Sequence, residues 1–215
     1  MPTASISAFQ PRSANHPVLA SNLLAHSRPS AVTPYNEGAV IYAQGEPSGP
    51  LYLVEYGAVR IHRLTYDGRR QISAFHFAGE VFGFEADGEH HFYAESIDRV
   101  GIRTLRPFSE DSNLEGVLPL ALQSLIRAQE HLLVLGRRTA MEKVASFFAD
   151  LNVRQGETGN VYLPMQRSDI ADYLGLTFET VSRMLRKLID ARTIRLASTK
   201  EVQILNLEAL EDLSQ

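Results

Sequence analysis

Cysteine is absent from the 215 residues. That excludes a disulfide framework, a thiolate zinc site and a Cys-ligated iron–sulfur cluster, and it permits a reducing compartment without requiring one. No run of 18 apolar residues occurs, so no conventional membrane helix is expected. The opening MPTASISAFQPRSANHPVLA has no basic segment followed by an apolar core, and it does not read as a secretory signal. Catalytic patterns are missing as well: no Ser-His-Asp order, phosphate loop or paired carboxylate stands out. The expectation is a cytoplasmic protein that is not an enzyme.

A surplus of charge is also lacking, since the formal net charge is −4. Its distribution is uneven. Residues 1–136 hold 10 Lys/Arg against 14 Asp/Glu, whereas residues 165–200 hold 7 against 4. The weak positive excess sits in one short C-terminal stretch, where phosphate contacts would need it, although a salt-bridged solvated face would have the same composition.

What is present is a sizeable apolar fraction, 44% hydrophobic, enough for a real core. Residues 1–32 are rich in Ser, Ala, Pro and Asn and read as an N-terminal arm, with one helical turn expected around 18–25. From 33 to 111 the period becomes two, in short segments broken by glycine. Leu51-Tyr52-Leu53-Val54 precedes Tyr56-Gly57, Val59 to Leu64 alternates up to Asp67-Gly68, and Arg70 to Phe77 ends at Ala78-Gly79-Glu80. Many short strands at this spacing predict an antiparallel sandwich or jelly-roll barrel, and the chain as a whole is α+β.

Residues 112–136 change to a helical period. Leu114, Leu118, Ala121, Leu125, Ala128, Leu132 and Leu135 are spaced 4, 3, 4, 3, 4 and 3, an a/d seam that suits a partner helix in a homodimer. Packing of the stripe on the chain's own barrel is the alternative. From 137 to 215, a second amphipathic helix carries Val144, Phe147, Phe148 and Leu151, a short strand is expected at Val161-Tyr162-Leu163, and then comes QRSDIADYLGLTFETVSRMLRKLI, residues 166–189.

That segment reads as two short helices around a glycine turn. Ile170 and Leu174 share one buried face, Ala171 is small where a second helix crosses, and Gly175 suits a left-handed C-terminal cap. Thr177 caps the next helix, in which Val181, Leu185 and Leu188 turn inward. Phe178, Glu179, Ser182, Arg183 and Arg186 are left outward, as in a helix that reads DNA bases. Thr193–Leu196 and Glu201–Leu205 form a hairpin, hence a wing. Arg167, Thr177, Arg186, Lys187, Arg195 and Lys200 are the candidate phosphate contacts, and Glu179, Ser182, Arg183 and Phe178 the candidate base contacts.

The order of arm, glycine-punctuated barrel, long helix and winged helix-turn-helix resembles the Crp/Fnr superfamily of transcription regulators, over residues 37–203. Glu179-Thr180-Val181-Ser182-Arg183 is similar to the Glu-x-x-Ser-Arg motif of its Fnr and FixK branches. The stretches YAQGEPSGPLYLVEYGAVRIHRLTYDGRRQISAFHFAGEVFGFE and AQEHLLVLGRR resemble FixK-like proteins in particular. The resemblance implies homodimer binding to a TTGAT-N4-ATCAA-like palindrome and contact with RNA polymerase. It also implies activation of genes for low-oxygen respiration, denitrification or nitrogen fixation.

Cyclic-nucleotide-binding relatives follow the barrel Gly-Glu with an Arg-Ser pair. Here Gly79-Glu80 leads into Asp87-Gly88-Glu89-His90-His91-Phe92, without an arginine, so Gly79-Glu80 reads as a structural turn. The Thr-Ser that caps the base in those relatives falls near Arg127-Ala128, and the position of a redox-sensitive FixK cysteine is Gln166. No cofactor is therefore expected. His90 and His91 with Glu89 suggest a metal, but neighbouring strand residues face opposite sides, so none is expected; Phe82, Phe84, Phe92 and Tyr93 read as barrel core.

Overall fold

The period-two segments form two four-stranded antiparallel sheets in the computed structural model, which describes residues 30–106 and 113–214. The strands are β1 (Val32–Tyr35), β2 (Val40–Tyr42), β3 (Leu51–Tyr56), β4 (Ala58–Leu64), β5 (Arg70–Phe77), β6 (Val81–Phe82), β7 (Tyr93–Ser96) and β8 (Val100–Leu105). Their orders, β1-β8-β3-β6 and β2-β7-β4-β5, make the expected jelly-roll-like barrel. Tyr42, Val54, Val59, Ile61, Phe82, Ala94, Val100 and Ile102 fill it. Gly57 joins β3 to β4 at φ +81°, and a Cβ there would lie 2.5 Å from the Arg99 carbonyl, so only glycine closes this corner.

Helix α1 (Asn113–Leu135) follows and lays Leu120 against Leu51, Leu53, Val81 and Leu105. Helix α2 (Ala140–Arg154) is capped by Thr139, whose hydroxyl accepts from the Glu142 amide. Then come β9 (Asn160–Tyr162), α3 (Arg167–Leu174), α4 (Phe178–Asp190), β10 (Ile194–Leu196), β11 (Glu201–Ile204) and α5 (Leu207–Asp212). The last strands form a small sheet of order β10-β11-β9.

Three elements went unread in the sequence: β1, β6 and α5. β1 and β6 are too short to show a period, and Val32 falls inside the stretch read as an arm. In α5 only Leu210 is buried, so no amphipathic stripe exists to find. The helical turn expected around 18–25 lies outside the described residues.

Barrel and C-terminal helices share one core. Ile72, Phe75 and Phe77 of β5 pack with Val144, Phe147, Phe148, Ile170, Leu174, Val181 and Leu185. Ring contacts continue it: Phe75 lies 5.0 Å from Tyr173, and Tyr173 stacks on His131 of α1 at 3.8 Å. Beside this core, Glu80 is buried between Arg154 at 2.8 Å and Arg127 at 3.3 Å. It also accepts from the Phe77 amide at 3.1 Å, so the expected turn at Gly79-Glu80 is also the anchor of an ion-pair cluster.

Candidate nucleic-acid interface

Local chemistry places the recognition hairpin. Asp169 in the first turn of α3 accepts from the Gln166 amide at 3.1 Å, closing a capping box. Gly175 ends α3 at φ +62°, ψ +42°, and its amide donates to the Ala171 carbonyl. A side chain here meets no crowding, since a Cβ would lie 3.8 Å from Leu135. The penalty is conformational alone, so Gly175→Ala is expected to cost about 1–2 kcal/mol, read as a fall in thermal midpoint of roughly 2–8 °C.

Thr177 caps α4 by accepting from the Thr180 amide. Val181, Met184, Leu185 and Leu188 are buried, and Ala171 of α3 is buried beneath them. Met184 is one inward residue more than the sequence reading named. With that face sealed, Phe178, Glu179, Arg183, Arg186 and Lys187 are exposed and Ser182 half-buried. Phe178 is 51% exposed, so about half of its ring is open to a ligand and the rest is covered by the protein. Glu179, Ser182, Arg183 and Arg186 fall at i, i+3, i+4 and i+7, one stripe of the helix. The carboxyl of Glu179 is held below the usual carboxylate range by its own backbone amide and by Thr177, so near neutral pH it accepts hydrogen bonds and donates none.

Arg167 sits at the start of α3 and reaches across to the Ser182 hydroxyl at 3.4 Å. A guanidinium only donates, so Ser182 accepts from it and keeps its own O–H free to donate outward. On the wing, Arg195 donates to Gln203, its cross-strand partner, at 2.5 Å, and Lys200 is exposed in the turn. The structure thus brings Phe178, Glu179, Ser182, Arg183 and Arg167 onto one hairpin, with Arg186 and Lys187 further along α4 and Arg195 and Lys200 on the wing.

The α1 stripe is also exposed in part. Leu118, Leu125 and Leu132 are 52%, 54% and 66% exposed, Ala128 is exposed, and Ala121 and Leu135 are half-buried. The side chain of Leu114 is outside the described residues. Leu122, Ile126 and Leu133 are exposed too, so the apolar surface is wider than the seven-residue seam.

The barrel differs from the reading in its 83–92 loop. His90 and His91 are not on a strand, yet they still diverge: His90 is buried and stacked on Tyr42 at 3.6 Å, while His91 is exposed. Glu89 does not join them. Glu85, Asp87 and His91 do converge, with ligand atoms within 4.8 Å of one another. Phe82 is core as expected, but Phe84 and Phe92 are only partly buried and border a cavity of about 320 Å³ that Tyr42, Ser124, Arg127 and Arg154 also line. Tyr93 stacks on His62.

Known proteins share this arrangement. Residues 142–213 match the Crp-like helix-turn-helix domain and residues 32–97 the cyclic nucleotide-binding domain. The chain is 46% identical to the nitrogen fixation regulation protein FixK of Rhizobium meliloti (strain 1021) over 187 residues, 87% of this chain and 89% of that protein. It is 40% identical to the protein of the same name from Azorhizobium caulinodans, covering 80% of this chain and 75% of that one. The structure of FixK2 from Bradyrhizobium japonicum superposes with a TM-score of 0.79 at 36% identity, covering 87% of this chain and 98% of that one. Among the described residues, no helix is long and apolar enough to cross a membrane.

Proposed function

From the premise that this chain belongs to the Crp/Fnr superfamily, in its FixK-like branch, and is a DNA-binding transcription regulator and not an enzyme, we propose that it binds a TTGAT-N4-ATCAA-like operator as a homodimer in the cytoplasm. There it activates genes for low-oxygen respiration, denitrification or nitrogen fixation through contact with RNA polymerase. The observation that carries this reading is the exposed stripe of α4, whose opposite face is sealed in the core.

Each side chain has a chemical task. Arg183 donates two hydrogen bonds to guanine O6 and N7, Glu179 accepts from cytosine N4, and Ser182 donates to a base acceptor. The Phe178 ring covers a thymine methyl. Arg167, Thr177, Arg186, Lys187, Arg195 and Lys200 fix register on the phosphates and carry no sequence information. Two copies of α4 read half-sites about one duplex turn, ~34 Å, apart.

Binding of the full-length dimer to the operator and to a scrambled duplex, across salt concentrations, tests the reading. A preference of roughly 10³-fold or more for the operator is expected, and equal affinities overturn it.

Dimerisation through α1 makes a separate prediction. Leu125 and Leu132, 54% and 66% exposed, place four leucines in the interface, each contributing about 1–2 kcal/mol when its exposed part is buried. Leu125→Asp combined with Leu132→Asp is expected to give a monomer by sedimentation and to remove operator binding. A dimer that survives this pair would put the interface elsewhere.

The cavity of about 320 Å³ supports a second reading, in which a small molecule other than a cyclic nucleotide gates the protein. Mass spectrometry of denatured extracts separates the two. A stoichiometric small molecule favours gating, and none favours a dimer whose activity follows its abundance.

A further inference from the structure

One cluster of charges joins the barrel to the DNA-reading hairpin. Arg60 of β4 is held on its own sheet by Glu95 of β7, at 2.6 Å and 3.3 Å, and its Nη1 reaches both carboxylate oxygens of Asp169 at 3.3 Å. Arg70, at the start of β5, donates to Asp169 through Nη2, and to Asp172 through Nε at 2.9 Å. The Asp169 side chain is 4% exposed, and Asp169 is the residue that caps α3 through the Gln166 amide. Two arginines of the barrel thus grip two successive turns of the first helix of the hairpin.

Stability alone is a poor account of this cluster. A buried ion pair repays its desolvation only in part, and apolar residues of similar size often do as well. Apolar contact between β5 and α3 is non-directional, so it fixes their distance better than their mutual rotation. Two guanidiniums gripping two carboxylates one helical turn apart fix the rotation. That rotation matters at the far side of the hairpin: α4 has 13 residues, about 20 Å, and a tilt of roughly 10° moves its end by about 3.5 Å, one base-pair step.

We infer that Arg60 and Arg70 are positioning residues for operator recognition, which fix the angle of each DNA-reading hairpin against its barrel and so set the spacing between half-sites that the dimer accepts. The inference rests on the base-reading assignment of α4. It adds a determinant that touches no DNA.

The experiment compares wild-type protein with an Arg60→Gln/Arg70→Gln variant on duplexes whose TTGAT and ATCAA halves are separated by three, four, five or six base pairs. Wild-type protein is expected to prefer one spacer by about 10-fold or more, the size of a mismatched pair. In the variant that preference falls to about 2-fold or less. The penalty for replacing the guanine of each half-site stays as in wild type, because Arg183 still reads it. An unchanged spacer preference in the variant overturns the inference.

If the double variant does not fold, Arg70→Asp is compared with Arg70→Asp/Asp172→Arg, which exchanges the partners. Loss of spacer preference in the first and its return in the second supports the clamp. Retained preference in the first, or no return in a folded second, overturns it. Wild-type protein that fails to distinguish operator from scrambled duplex removes the base-reading assignment, and the clamp's role with it. A dimer that reads the bases but not the spacing removes the clamp alone.

Discussion

Replacing Arg183 with alanine is expected to lower operator affinity by roughly 30-fold to 10⁴-fold. A bidentate guanidinium–guanine pair supplies about 1–3 kcal/mol of discrimination. The substitution falls on both half-sites of a symmetric operator, so the loss counts twice, about 2–6 kcal/mol. The distinguishing result is the pattern. After Arg183→Ala, changing one base pair per half-site no longer weakens binding, while changes at the other positions weaken it as before. Arg186 lies one turn further along α4, away from the N-terminal end that enters the groove first. Arg186→Ala should therefore weaken operator and scrambled duplex alike and reduce the salt slope by about 1.8 per dimer, two phosphate contacts at roughly 0.9 each. If Arg183→Ala lowers affinity for both duplexes equally, Arg183 is a phosphate contact and the base assignment is wrong.

The recognition hairpin was legible because its signals are local. Gly175, Thr177 and the inward Val181, Leu185 and Leu188 lie within a few turns of one another, and the structure places each as its chemistry requires. The barrel was legible from period two and glycine corners, apart from the short strands β1 and β6 and the break between β7 and β8. The α1 stripe was read from one face only. Leu120 on the barrel side and Leu122, Ile126 and Leu133 beside the seam were missed, because an a/d template ignores apolar residues that widen a stripe. Least legible were contacts between distant segments. Arg60 and Asp169 are 109 residues apart, and Glu80 and Arg154 are 74 apart. No periodicity links them. The 83–92 loop gave the right separation of His90 from His91 through a strand that is not there, and it hid the approach of Glu85 and Asp87 to His91.

Glu80→Gln is expected to destabilise the folded protein by about 3–5 kcal/mol, because it removes the buried carboxylate that Arg154 and Arg127 share and leaves Arg154 to its more exposed ion pair with Asp150. At this chain length, that lowers the thermal midpoint by roughly 6–20 °C. Burial alone would raise the Glu80 carboxyl, but Arg154, His76 and Arg127 together outweigh it and hold the group well below the ordinary range. The sign for pH follows. A depressed folded-state value gives stability that is fully present above the unfolded carboxylate value, about 4.3, and is lost as pH falls through the folded value. The gap in stability between wild type and Glu80→Gln should therefore be full at pH 7 and close only in strong acid; a gap that closes while a free carboxylate is still ionised would mean that the Glu80 charge is not its source. The functional consequence separates the two modes of control. Arg154 belongs to α2 and Arg127 to α1, so Glu80 ties both helices to the barrel by direct ion pairs. If those ties hold the dimer in its DNA-binding form, Glu80→Gln should weaken operator binding even well below its melting transition. A folded variant that binds the operator as tightly as wild type would mean that something other than this ion-pair cluster keeps the hairpins in place.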